Sequence, residues 1–170
     1  MGADIKGSDR RGQEELPTGK MARPMEPRSR QMIRVLVVED SPTAREHIAA
    51  ILGTESDIEV VGQAADGAQG IQETIRLRPD VVTMDINMPN VDGHQATERI
   101  MAEAPTPIVV VSSVTREDMI HEGLDILRSG ALEIVQKPSA MTARGYDEIR
   151  QELLSKVRAV SGIDVAATRA

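Results

Sequence analysis

From residue 33 onward the chain alternates short aliphatic runs with longer stretches whose apolar positions recur at helical spacing. The runs at 33–38, 58–61, 80–84, 107–111 and 132–135 read as strands. Helical periodicity falls at 42–52, 67–77, 92–103, 115–128 and 146–160. Ala44, Ile48, Ile51 and Leu52 share one face of the first helix, and Ile149, Leu153, Val157 and Val160 share one face of the last. Helix starts are marked chemically: Pro42 follows the cap residue Ser41, while Asp66 with Gln69, Asp92 with Gln95 and Thr115 with Asp118 have the spacing of a reciprocal cap. Gly53 and Gly130 suit helix ends.

A strand followed by a helix, repeated along the chain, implies a parallel sheet, because right-handed crossovers are what such connections permit. Runs such as Val35 to Val38 and Ile108 to Val111 are aliphatic throughout and do not alternate with polar residues, which supports burial on both faces. The expected fold class is therefore α/β, a doubly wound five-stranded parallel sheet. Such sheets carry their functional crevice outside the carboxyl ends of the strands.

Those ends are polar. The first strand runs into Glu39-Asp40, the third into Asp85, the fourth into Ser112-Ser113 and the fifth into Lys137-Pro138. Carboxylates that cap two different buried strands repel each other unless a cation lies between them. Oxygen-only ligands point to Mg²⁺ or Mn²⁺, with Mg²⁺ the expected physiological ion. A lone Asp at a strand end is ordinarily a helix cap or a solvated loop residue; recurrence at the same end of four strands is what makes these a candidate site.

Residues 1–31 break the pattern. They hold seven basic and five acidic residues, three prolines, four glycines and few large aliphatics, too little apolar surface to offset ordering entropy. They are expected to form a disordered N-terminal extension, followed by a domain over 32–160 and a C-terminal tail over 161–170. The extension reads as a solvated leader, as a tether to an acidic surface, or as a product of start-site choice among Met21, Met25 and Met32.

Charge and composition narrow the function. The net charge of −7 disfavours direct contact with nucleic acid or anionic lipid. Tyr146 is the single aromatic residue, so base-stacking platforms and aromatic cages are excluded. No cysteine is present, which removes disulfides and thiolate metal sites. The aliphatic runs fall far short of the roughly 18 residues of a membrane span, and the first thirty residues lack a signal-like apolar stretch. A cytoplasmic protein is expected. His47, His94 and His121 lie in three separate helical stretches without ligand spacing and read as surface residues. No Gly-x-x-x-x-Gly-Lys is present to cradle a nucleotide.

Val35-Leu36-Val37-Val38-Glu39-Asp40-Ser41-Pro42, then Asp80-Val81-Val82-Thr83-Met84-Asp85-Ile86-Asn87-Met88-Pro89 with Asp92-Gly93, then Val111-Ser112-Ser113 and Lys137-Pro138, resemble the receiver domain of bacterial response regulators. The resemblance spans about residues 32–160. The segment Pro105 to Arg116, the phrase Asp57-Ile58-Glu59-Val60-Val61-Gly62 and Lys137-Pro138-Ser139 are most similar to the receiver half of the chemotaxis protein-glutamate methylesterase.

The resemblance implies a flavodoxin-like (βα)5 receiver fold with strand order 2-1-3-4-5. It implies that Asp85 is the phosphoacceptor for a sensor histidine kinase or phosphotransfer protein. By the same resemblance, Asp40, Asp85 and the main-chain carbonyl of Asn87 bind Mg²⁺, Glu39 acts through water, Ser112 hydrogen-bonds a phosphoryl oxygen and Lys137 pairs with another. Ser112 and position 134 would form the switch that alters a downstream protein's binding surface. Here the chain departs from the family: on the strand leading to the lysine, receivers carry Tyr or Phe where this sequence has Ile134, so aromatic rotamer coupling is absent and a weaker or differently coupled output is expected.

The expectation is thus a phosphorylation-controlled signalling module with self-dephosphorylation, not a turnover enzyme. A truncated chemotaxis methylesterase regulator is the alternative; the chain stops about ten residues after the last helix, where that family continues into a hydrolase domain with a serine nucleophile. A phosphorylation-independent interaction domain is a further alternative, disfavoured by the retained carboxylates, Ser112 and Lys137. A haloacid-dehalogenase-type phosphatase needs an acid two positions after its nucleophile, and Asn87 stands there.

Overall fold

In a computed structural model, described for residues 31–113, 118–138 and 143–168, the aliphatic runs become β1 (Ile33–Val38), β2 (Ile58–Ala64), β3 (Val81–Met84), β4 (Ile108–Ser112) and β5 (Glu133–Gln136). They form one parallel sheet in the order β2-β1-β3-β4-β5. Between and after them lie α1 (Pro42–Gly53), α2 (Gly67–Leu77), α3 (Gly93–Glu103), α4 (Asp118–Ser129), α5 (Ala143–Val160) and the single turn α6 (Val165–Thr168). Residues Met32–Ala170 form one compact unit.

Strand residues point alternately to two cores, which is why Val35 to Val38 and Ile108 to Val111 are apolar at every position. Leu36, Val38, Val82, Met84, Ile108 and Val110 pack with Ile71 of α2, Ile100 of α3 and Ile126 of α4. Val35, Val37, Val81, Val109, Val111 and Val135 pack on the other face with Ile48 and Leu52 of α1 and Leu153 and Val157 of α5. The doubly wound architecture expected from the pattern is the one observed.

The caps hold with local variations. Ser41 Oγ accepts from the Ala44 amide at 3.3 Å, with Pro42 opening α1. Asp92 and Gln95 bond reciprocally at 2.9 and 3.2 Å. Asp66 accepts from the Gln69 amide at 2.8 Å, but the Gln69 side chain takes the amide of Ala65 instead. The Thr115 cap lies outside the described residues. Gly130 has φ 119°, a conformation that favours glycine. Gly53, by contrast, stays helical, because α1 closes through the Thr54 amide on the carbonyls of Ile51 and Leu52.

Three boundaries differ from the pattern. β2 continues three residues beyond Val61 to Ala64. Gly62 does not end it: a Cβ there would lie 2.8 Å from Leu77 Cδ1 and 3.3 Å from Leu36 Cδ1, so glycine is the residue that lets α2 close over the strand. The ladder slips at this point, Val35 facing Val60 and Leu36 facing Gly62. α5 begins at Ala143, ahead of Tyr146. Within 161–170, α6 forms and Val165 is buried against the α2–α4 core.

Away from the carboxyl ends, α5 is stapled to the α1–β2 turn. Arg158 donates to both carboxylate oxygens of Asp57 and to Glu55 Oε1, each at 2.8 Å. Arg150 adds a 3.7 Å ion pair to Glu55.

Candidate functional site

The last residues of β1 and β3 end side by side because the strands are neighbours: the Asp85 amide bonds the Val38 carbonyl at 3.0 Å. The chain therefore delivers Glu39, Asp40 and Asp85 to one place, where a carboxylate oxygen from each lies within 4.8 Å of the others. Glu39 is fully buried and Asp85 nearly so, whereas Asp40 lies at the more exposed rim. From the far edge of the sheet, the Ser112 carbonyl accepts the Lys137 amide at 2.8 Å. That anchors Lys137 so that its Nζ reaches Glu39 Oε1 at 2.5 Å and Asp85 Oδ1 at 3.3 Å.

Three carboxylates face one ammonium. Burial, reinforced by the neighbouring Glu39 and Asp40, pushes the Asp85 carboxyl up to about 8, against the pull of Lys137. Asp40 moves the other way: burial would raise it, but hydrogen bonding with Asp85 and Glu39 and the charge of Lys137 hold it below its ordinary value. Burial alone would lower the Lys137 pKa, but Glu39 and Asp85 hold it above its ordinary value.

Asp85 Oδ2 is buried without a hydrogen-bond partner. A buried carboxylate oxygen left in this way is costly unless something binds it. An oxygen-only donor set with surplus negative charge and an unsatisfied buried oxygen fits a hard divalent cation.

The remaining residues singled out in the sequence fall around this cluster. Asn87 is exposed in the β3–α3 turn, two positions after Asp85. Ser112 is the buried last residue of β4. Ile134 faces Val110 across the β4–β5 ladder, packs against the α2–α4 core and offers its carbonyl to Lys156 Nζ at 2.8 Å. The histidines stand apart from the cluster: the His47 ring lies 5.4 Å from that of Tyr146, and His94 Nδ1 is 3.5 Å from Ser129 Oγ. The side chain of His121 lies outside the described residues.

Two contributors escaped the sequence reading. A Cβ on Gly93 would sit 2.3 Å from the Asp85 carbonyl oxygen and 2.7 Å from Ile86 Cα, so the turn that leads away from Asp85 folds back tightly on itself. The Asp-Gly pair at the start of a helical stretch was a signal for this close approach. Arg45 donates from Nη1 to the Glu39 carbonyl at 2.9 Å. Nothing in a half-exposed arginine six positions later on a helix marks such a bond.

Comparison with known proteins places this geometry. A family-wide sequence model described as the response regulator receiver domain matches residues 35–144. The protein-glutamate methylesterase/protein-glutamine glutaminase 1 of Syntrophus aciditrophicus is 44% identical over 134 residues, covering 79% of this chain and 38% of the relative. The chain thus spans well under half the length of the curated relatives it matches, 37% and 38% for two others. Among solved structures, the response regulator domain of Thermotoga maritima CheB is 40% identical with a TM-score of 0.71, covering 79% of this chain and 99% of that one. The complex of the P1 domain of CheA3 with CheY6 from R. sphaeroides matches at 26% identity and TM-score 0.65, covering 78% of this chain and 99% of that one. Among the described residues no helix is long and apolar enough to cross a membrane.

Proposed function

This chain belongs to the response regulator receiver domain family, and from that premise we propose that Asp85 accepts a phosphoryl group from the phosphohistidine of a sensor histidine kinase or phosphotransfer protein. The single observation that carries the reading is Asp85 itself: a nearly buried carboxylate with a partnerless oxygen, flanked by two further carboxylates and a lysine.

Phosphoryl transfer calls for positioning and charge cancellation more than covalent assistance. A carboxylate oxygen of Asp85 forms the new bond to phosphorus as the P–N bond to the donor imidazole breaks, and the electron pair returns to the ring nitrogen. Asp40, Asp85 and the Asn87 carbonyl would hold Mg²⁺, with Glu39 acting through water. When bound, the ion offsets the charge of the carboxylates and of the incoming phosphoryl oxygens. Lys137 cancels charge from the opposite side, already within ion-pair distance of Asp85. Without a cation, burial and the neighbouring carboxylates push Asp85 up to about 8; a dication held at its carboxylate would favour the ionised form that attacks. Hydrolysis then limits the signal: water attacks the phosphorus, restoring the carboxylate and releasing inorganic phosphate.

The acyl phosphate brings new charge and acceptor oxygens beside the end of β4. Ser112 would turn its hydroxyl to one of them, and through Ser112 and Ile134 the change would reach the surface that a downstream protein reads. Likeness to a complex between a CheY and a CheA domain supports a protein phosphodonor. We place the module in the cytoplasm, with Mg²⁺ its physiological cofactor and no direct nucleic-acid contact.

Intact-mass measurement after incubation with a small phosphodonor and Mg²⁺ tests the central step. One phosphoryl adduct is expected on the parent and none on Asp85→Asn; equal adducts on both, or none on the parent, would sink it. At the switch, Ile134→Phe is expected to increase the dependence of partner affinity on phosphorylation, and an unchanged dependence would remove Ile134 from that role.

A second reading is favoured by the curated relatives, which are named as methylesterases and glutaminases. In it, the chain is the regulatory portion of such an enzyme, its receiver chemistry unchanged. On either reading the receiver region itself hydrolyses no glutamyl methyl ester, and detectable ester turnover by this chain would overturn that.

A further inference from the structure

The strand ladder at the end of β1 is left one bond short. On the β3 side, the Val38 carbonyl is taken by the Asp85 amide. On the β2 side, the Glu39 amide takes the Ala64 carbonyl at 3.0 Å, and the next bond of a parallel ladder would bring the amide of Asp66 to the Glu39 carbonyl. β2 has ended by then, and Asp66 has turned away to cap α2. The Glu39 carbonyl would be an unmet acceptor at the root of the acidic site. Arg45 supplies the donor, reaching back from the first turns of α1 to the end of the preceding strand at 2.9 Å.

We propose that Arg45 is a positioning residue for divalent-cation binding: it fixes the main chain from which Glu39 and Asp40 project. The inference rests on the reading of Glu39, Asp40 and Asp85 as the cation site. The two ends of Glu39 are held by different cations, its carbonyl by Arg45 and its carboxylate by Lys137 at 2.5 Å. Asp40 follows directly, so rotation of the Glu39–Asp40 peptide would swing a proposed ligand away from Asp85. Among the described residues Arg45 makes no ion pair with a carboxylate, and its half-buried guanidinium is committed to this carbonyl.

Two effects of Arg45 oppose each other. Its positive charge repels an incoming dication, which by itself would make removal of the charge tighten binding. Its hydrogen bond pre-organises the ligands, and loss of an outer-shell contact typically weakens metal binding by about 10–100-fold. Because the bond is to main chain and not to a ligand atom, the lower end applies, about tenfold. At the solvated rim, repulsion is screened and organisation prevails.

The test is titration with Mn²⁺, followed by electron paramagnetic resonance of the free ion, on the parent, Arg45→Met and Arg45→Lys. The Met variant is expected to bind about tenfold more weakly. The Lys variant, which keeps a donor on a long stem, should recover part of that loss. Half-maximal phosphorylation by a small phosphodonor should require about tenfold more Mg²⁺ in the Met variant than in the parent, in step with the weaker Mn²⁺ binding. Thermal midpoints taken alongside identify a folding defect, and the Lys variant gives the answer if the Met variant unfolds. Met binding as tightly as the parent or tighter, or Lys as weak as Met, would overturn the role of Arg45. If the parent binds no Mn²⁺, the reading of the acidic site itself falls.

Discussion

Two clusters in this molecule are built from the same groups and behave in opposite ways. At the carboxyl ends of the strands, Lys137, its side chain 12% exposed, meets the buried Glu39 and the nearly buried Asp85, with Asp40 nearby. Beneath α5, Arg158 meets Asp57 and Glu55 with its side chain 39% exposed. In the second cluster every charged oxygen that matters has a donor, and hydrogen bonding to Arg158 holds Asp57 below its ordinary value. In the first, burial and an excess of negative charge drive Asp85 up to about 8 and leave one of its oxygens unmet. A satisfied, hydrated ion pair is a staple. An overcrowded, desolvated one is a site waiting for charge to arrive.

The comparison is broken most directly at the lysine. Lys137→Met leaves Glu39 and Asp85 buried without their cation, and removal of one partner from a buried group of this kind costs about 3 kcal/mol. That loss is expected in urea unfolding well above pH 8, where Asp85 is charged, and should shrink at lower pH as Asp85 takes a proton. A loss independent of pH would mean that packing of the lysine stem, not charge, matters.

Opposite pH dependences sharpen the contrast. Without metal, folded Asp85 holds its proton up to about 8 while the unfolded chain releases it near the ordinary 3.8. The folded state binds more protons across that window, so its stability falls as pH rises, by at most about 1.4 kcal/mol per unit. Asp57 has the reverse sign: its pairing stabilises above 3.8 and is lost as pH falls through its lowered folded value. Unfolding free energies in chelator should show the first slope in the parent and lose it in Asp85→Asn. A parent whose stability is flat across the window would mean that Asp85 is not desolvated in solution.

The smallest effect is expected at the staple. Arg158→Ala removes three hydrogen bonds, yet exposed pairs are worth about 1 kcal/mol or less, and added salt should narrow the difference further. A loss as large as that of Lys137→Met would erase the distinction between the two clusters.

Much of this was readable beforehand. Runs such as Val35 to Val38 are apolar at every position, and burial on both faces follows from that alone. Asp85 was legible because it follows the buried run Val81 to Met84, and Lys137 because it stands two residues past Val135 at the same end of the sheet. Other features depended on partners distant in sequence. The second run was read only to Val61 because the packing of Gly62 against Leu36 and Leu77 is invisible along the chain. Val165 lacked any periodic neighbours to mark α6, and it forms part of a core built from residues of four strands and three other helices. Arg45 serves a carbonyl whose ladder partner was lost because β2 happens to end at Ala64.

By itself, then, the sequence determined the alternation of strand and helix, and with it the delivery of carboxylates and a lysine to one edge of a parallel sheet. Local pattern suffices there, since a strand's burial and a helix's face are set by residues within a few positions of one another. Only the tertiary structure decided that Asp85 becomes basic while Asp40, also an aspartate at a strand end, becomes more acidic. Protonation is governed by lost solvent and by charges a few ångströms away, and those distances exist only once the strands lie side by side.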